Sequence, residues 1–295
     1  MSVLEINKCA TGTKSTVLLT EDDIPNCSVA DRTILELITD EDVDLDQLSD
    51  VIQENPSLVV LIISLANSAY FSSPTSINSI KDAIIKVLGI RMVKSIVLSV
   101  ILGRSLDTSN CKSFSIADYW TDSLTSARFC QILADKTDLK NFISSEEIYL
   151  SALLAGFGEL VLIQHYPFEM NEIILSSEGQ LERYVSSQAS QIGMTQSEAG
   201  VIMAKRWLLP DIVSTVMQYS FNQNYRGEQW QVCRIVGAVL GVVNKVRNEE
   251  TDIHFDSNFA SVLGNYNIDN EFQQLPDLRE SLSRIAKHLS NGNSS

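Results

Sequence analysis

The period of the apolar residues constrains this chain most. From Asp31 onward they recur at helical spacing almost throughout, and no segment alternates apolar and polar residues at period two. The expected class is therefore all-α. Hydrophobic residues make up 44% of 295 positions, enough for a large core. The boundaries expected are an N-terminal arm over 1–24, a helical subdomain over 25–110, a second over 111–225 and a helical extension over 226–295. Within the arm, Lys14–Thr20 has weak strand character.

Start and stop signals divide the helical run. Asn55-Pro56 pairs an N-cap with proline at the first helical position. The helix that follows is apolar almost all round, through Leu58–Ile63, Leu65 and Ala66, and is expected to be the enclosed centre of the N-terminal bundle. It ends near Asn67-Ser68-Ala69-Tyr70-Phe71, before Ser72-Ser73-Pro74. Ser79 with Asp82 starts another helix, Gly89 ends it, and Ile90–Leu106 forms the next. Ser115 with Asp118 caps a helix carrying Trp120, and Ser145 opens the segment Tyr149–Leu162. Thr195 with Glu198 forms a capping box, Pro210 opens Asp211–Tyr219, and Glu228–Arg247 is a long amphipathic helix. Beyond it, the polar stretches Ser257–Leu263 and Asp269–Leu289 add shorter helices.

Charge and motif content exclude several function classes. Net charge is −15 and no basic stripe exists, which argues against nucleic-acid binding. The helix after Gly89 is also too apolar to lie in a DNA groove. The apolar runs Ala83–Leu106 and Val232–Val246 carry Lys and Arg, so they read as buried helices and no membrane insertion is expected. Five scattered cysteines, Cys9, Cys27, Cys111, Cys130 and Cys233, without a secretion signal indicate reduced thiols in the cytoplasm. Asp42, Asp44 and Asp46 mimic the start of a calcium loop, but Gln47 stands at the turn and Gln53 at the closing ligand position. The expected role of Asp44 is to cap a helix with Gln47 as its partner. No Gly-x-Ser-x-Gly turn and no phosphate-cradling glycine loop is present, and no cofactor is expected.

The chain turns on Tyr149–Leu162. Leu150, Leu153 and Leu154 form a core stripe with Ala152 and Ala155 beside it, and the glycines around Phe157, Gly156 and Gly158, mark a helix break where backbone can approach something closely. The segments Asn55-Pro56-Ser57-Leu58, Leu65-Ala66-Asn67-Ser68-Ala69-Tyr70, Ser79–Ile84, Leu88-Gly89, Tyr119-Trp120, Ala152-Leu153-Leu154 with Gly158, and Trp207-Leu208-Leu209-Pro210 together resemble the HDOD family. That family comprises bacterial signalling modules similar to HD-type phosphohydrolases that have lost their active sites. The resemblance runs from about Pro25 to Phe221 and implies an N-terminal bundle followed by a degenerate HD-like bundle.

HD phosphohydrolases hold a divalent metal with histidines and aspartates from several helices, and the metal activates water. On the resemblance, the paired His-Asp falls on Ala155 and Gly156, and the earlier histidine near Asp122. The later ones fall on Gln196 and near Ser220 and Phe221. Only Asp122 retains a metal-binding group, and one carboxylate does not hold a metal. His165, His254 and His288 lie elsewhere. The resemblance therefore implies a pseudoenzyme. Its expected role is a non-catalytic signalling adaptor, binding other signalling proteins (a kinase, a response regulator or a cyclic-nucleotide enzyme) or sensing a small ligand. The alternative is a residual phosphohydrolase with a rearranged site around Asp122. Direct DNA contact is a third, weaker one. Asn67, Ser68, Tyr70 and Trp120 are candidate interaction residues for which a structural role is favoured, with Asn67 and Ser68 closing a helix end and Trp120 packing in the core. Glu159 is expected at the surface or as a cap.

Overall fold

The computed structural model describes residues 19–25, 29–40, 43–71, 75–250, 257–264 and 266–291. Most of the N-terminal arm, including 14–18 of the expected Lys14–Thr20 strand, and Cys9, Cys27, Asp42, Ser72–Pro74 and His254 lie outside them, as does the side chain of His288; Leu19 and Thr20 are described and are not in a strand. No strand is found among the described residues. The first part contains α1 (Val29–Thr39), α2 (Leu45–Gln53), α3 (Pro56–Ala66), α4 (Ile80–Ala83, continued by a π-helical turn to Leu88) and α5 (Ile90–Arg104). The second contains α6 (Ile116–Lys136), α7 (Ser145–Leu154), α8 (Phe157–His165), α9 (Pro167–Ser177), α10 (Leu181–Gln191), α11 (Gln196–Arg206) and α12 (Asp211–Tyr219). The C-terminal segment adds α13 (Trp230–Arg247), α14 (Ser257–Leu263), α15 (Asp269–Gln273) and α16 (Leu275–Asn291).

Caps set most of these boundaries. The Asn55 side chain accepts from Leu58 N–H, Ser79 from Asp82 N–H and Ser115 from Asp118 N–H, each satisfying an otherwise orphan donor. Thr195 and Glu198 form the expected box. Ser144, one residue earlier than expected, caps α7 in a reciprocal box with Glu147. Asp44 does occupy an N-cap position, but its side chain makes no capping bond, so the expected box with Gln47 is absent. Gly89, at φ +77°, is the left-handed hinge between the π-helical turn and α5.

The helix α3 is not enclosed as its composition suggested. Leu58, Leu61, Ile62 and Leu65 are fully buried, whereas Val60 is 42% exposed. Beyond its end, the Asn67 amide donates to the carbonyls of Ile63 and Ile77 at 3.0 and 2.7 Å and accepts from Ile77 N–H at 2.8 Å. These bonds tie the start of the α4 segment to the end of α3. Asn67→Ala is expected to cost about 1 kcal/mol in urea denaturation, the value of a lost partly buried pair.

Buried side chains form one cluster reaching from Leu19 to Leu289, continuous across residues 110 and 111. At its centre α6 packs on α7, α13 and α16. Trp120 is a core residue, edge-to-face on Phe157 with centroids 5.9 Å apart and pressed against Gly103. Helices α8 and α11 cross where a Cβ on Gly158 would stand 1.8 Å from the Gln196 carbonyl oxygen, so only glycine fits. Ser145–His165 is long and apolar enough to cross a bilayer, but it is broken at Gly156 and lies mostly inside the protein, as a core element.

The C-terminal extension, whose polar stretches were expected to add shorter helices, ends in the 17-residue α16. Leu275, Leu278, Leu282, Ile285 and Leu289, spaced three and four apart on α16, are all buried. This stripe lies across both α6 and α3 and so joins the two halves of the fold.

Candidate functional site

The site is built around the break between α7 and α8. Gly156 stands there in helical conformation without a capping side chain. Helix α6, started by the Ser115 cap, presents Tyr119, Asp122 and Ser126 along one face. Glu159 lies in the first turn of α8, Tyr184 on α10, Gln196 at the first position of α11, and Asn244 and Arg247 one turn apart on α13. Together they line a cavity of about 370 Å³. Of the five degenerate positions, the structure brings Asp122, Gly156 and Gln196 to this cavity. Ala155 is buried in the core, and Ser220 lines an adjoining groove of about 750 Å³ bounded by α10, the end of α12 and α13, which shares Leu181 and Phe221 with the cavity.

Each of the three has a specific partner. A Cβ on Gly156 would meet the Tyr119 ring at 3.3 Å, so Tyr119 takes part of the room an aspartate would need. The Gln196 side chain accepts from Gln188 Nε2 at 3.3 Å, while Gln196 N–H donates to Gln188 Oε1 at 3.0 Å. Asp122 receives Arg247 Nη1 at 2.8 Å and Arg279 Nε at 2.9 Å. Burial pushes the Asp122 carboxyl above the ordinary aspartate range, and the two guanidiniums pull against that shift.

A metal does not fit this arrangement. The one carboxylate in a ligand position is engaged on both oxygens by arginines, which supply the positive charge an ion would bring. Among the described residues no group of three or more His, Cys, Asp or Glu is close enough to hold an ion. His165, at the end of α8, is not among the lining residues.

Glu159 corrects the sequence reading. It is neither a surface residue nor a cap: its remaining accessible area faces the cavity, and Tyr184 donates its hydroxyl proton to Oε1. Burial pushes its carboxyl up, against the pull of the Tyr184 bond and Arg247. Burial likewise holds the Tyr184 and Tyr119 hydroxyls well above the ordinary phenol range, so both stay protonated donors. Only the apolar run around Glu159 hinted at this position.

The four candidate interaction residues lie apart from the cavity. Asn67 is the clamp described above, and Trp120 is core. The Ser68 hydroxyl is buried without a partner, and the Tyr70 carbonyl accepts from Arg128 Nη2 at 2.7 Å.

The profile of the HDOD domain matches residues 24–223, well over half of the chain. The chain belongs to the HDOD family. This HDOD protein is 26% identical over 264 residues to an uncharacterized protein of Treponema pallidum (strain Nichols), covering 88% of this chain and 49% of that one. It thus spans about half the length of that curated relative. Among solved structures, one from Marinobacter aquaeolei VT8, named for signal transduction, superimposes with a TM-score of 0.70 at 22% identity, over 91% of this chain and 60% of that one. A Shewanella amazonensis SB2B protein, named as a phosphohydrolase, gives 0.67 at 19% identity over 91% and 96%. An HDOD domain protein from Geobacter sulfurreducens gives 0.60 at 19% over 92% and 91%. At these identities the likeness establishes the helical fold alone.

Proposed function

We propose that this HDOD protein is a non-catalytic signalling module, cytoplasmic, which acts by contact with other signalling proteins and retains the HD-like cavity without its metal chemistry. The observation that carries this reading is Asp122, the remaining ligand-type residue, held between Arg247 and Arg279. Exchanging two short charge-assisted bonds for an ion would leave both guanidiniums without their acceptor. Surface features support protein contact. Phe168 and Leu175, one face of α9 seven residues apart, are 79% and 65% exposed, and Leu208 is 90% exposed in left-handed backbone. With a net charge of −15, nucleic acid is not among the partners proposed.

Metal analysis of the purified protein, with a hydrolysis screen over nucleotides and phosphodiesters, tests the reading. The expected result is no stoichiometric transition metal, no turnover, and a melting temperature unchanged by chelator. A stoichiometric metal with turnover abolished by Asp122→Ala overturns it.

A further inference from the structure

The charges around the cavity do not balance. Asp118, Asp122 and Glu159 stand against Arg247 and Arg279. Asp122 takes a guanidinium nitrogen on each oxygen, and Arg279 Nη2 also lies 3.9 Å from Asp118. Glu159 is left over. Among the described residues its carboxylate takes one hydrogen bond, from the Tyr184 hydroxyl to Oε1, and Arg247, whose charge it feels, is bonded to Asp122 and Asn244. An enclosed carboxylate with no cation bonded to it, and only a share of Arg247's field, is costly unless something neutralises it.

The cavity offers that carboxylate company of a particular kind. Tyr119, Tyr184, Phe114 and Phe221 contribute aromatic walls, and ring faces favour a cation. The Ser126 hydroxyl on the wall is buried without a partner, and the Tyr119 hydroxyl makes no hydrogen bond of ordinary geometry although Ser123 lies beside it. Both oxygens have lone pairs to accept from an N–H donor. The volume of about 370 Å³ is at the small end of the range for ligand pockets. A metal ion lacks its ligand set here, and an anion would meet Glu159.

We propose that this cavity binds a small organic monocation, a protonated amine whose ammonium group pairs with Glu159 while its carbon skeleton lies among the aromatic rings. The proposal rests on the reading that the cavity carries no metal chemistry. It also predicts a pH dependence. The groups facing Glu159 are Tyr184 from α10, Tyr119 and Asp122 from α6, Arg247 from α13, and Cys111 from the loop before α6. Burial raises the Glu159 carboxyl, so at low pH a proton occupies the place of the cation. Amine affinity therefore rises with pH through the Glu159 titration, which lies above the ordinary glutamate range, and then levels off.

Calorimetric and NMR titration of the intact protein with benzylammonium and propylammonium chloride, against benzyl alcohol and propanol, tests this. Saturable binding of at least one amine is expected, with its alcohol at least tenfold weaker. Glu159→Gln, which keeps the shape and the bond from Tyr184, is expected to lose the amine at least tenfold while its circular dichroism stays that of the parent. Tyr184→Phe, which removes a bond that favours the ionised carboxylate, is expected to move the pH midpoint of binding upward. Equal binding of amine and alcohol, no binding of either amine, or an unaltered Glu159→Gln overturns the proposal. Metal content and hydrolysis measured on the same preparation separate the two readings. A metal-free, inactive protein that ignores amines sinks the proposal alone, whereas a metal-loaded, hydrolysing one sinks the reading beneath it.

Discussion

Gly158→Ala is expected to lower folding stability by about 3 kcal/mol, at the upper end of what overpacking usually costs. The added Cβ would stand 1.8 Å from the Gln196 carbonyl oxygen and 2.6 Å from Gly200 N, both backbone atoms that cannot rotate away. Helices α8 and α11 have to separate to admit it, and Gln196 and Glu159 ride on those two helices at the cavity wall. Urea denaturation measures the loss. Gly241→Ala on α13 is the contrast, because nothing lies within 4 Å of its added Cβ. There the alanine is expected to stabilise by roughly 0.5–1 kcal/mol, through helix propensity alone. If both substitutions cost the same, the close approach at Gly158 is not what holds that crossing.

The second large effect is expected at Asp122. Asp122→Ala removes the acceptor of Arg247 Nη1 and Arg279 Nε, leaving Arg279, with 19% of its side chain exposed, only the longer contact to Asp118 at 3.9 Å. Orphaning a buried charge costs several kcal/mol. Arg247 is 39% exposed and finds water, so about 2 kcal/mol is the expected loss. Combining Asp122→Ala with Arg279→Ala is expected to cost less than the sum of the two single changes, which a double-mutant cycle reads directly. The loss at Asp122 is expected to be the same with and without chelator. A loss that appears only in the presence of a divalent metal contradicts the arginine clamp.

What the sequence made legible was mostly local. Asn55-Pro56, Ser79 with Asp82, Ser115 with Asp118 and Thr195 with Glu198 all start helices, because a cap is a bond between residues three apart. Asp44 shows the limit of that logic, since a suitable residue at the right position still makes no bond. The all-α class followed from the period, and the HDOD family from motifs spread over two thirds of the chain. The cavity was half legible. Of the five positions named from the resemblance, Asp122, Gly156 and Gln196 line it and Ala155 and Ser220 do not, while the groups that decide its chemistry come from far away in sequence. Arg247 and Arg279 reach Asp122 across 125 and 157 residues. Glu159 looked peripheral because its partner Tyr184 lies on a helix that no motif announced. The stripe on α16 was in view, as Leu275, Leu278, Leu282, Ile285 and Leu289, but the polar residues between them masked it.

That stripe bears on how the chain is made. A ribosome releases α3 and α6 long before α16, yet part of their apolar cover is supplied by the later helix. Until residue 291 has cleared the exit tunnel, the finished half of the nascent protein carries a bare hydrophobic seam. Contacts that span more than two hundred residues also close slowly, since a long loop has to be ordered first. Exposed apolar surface of that kind is what chaperones bind, and here it is covered when α16 docks.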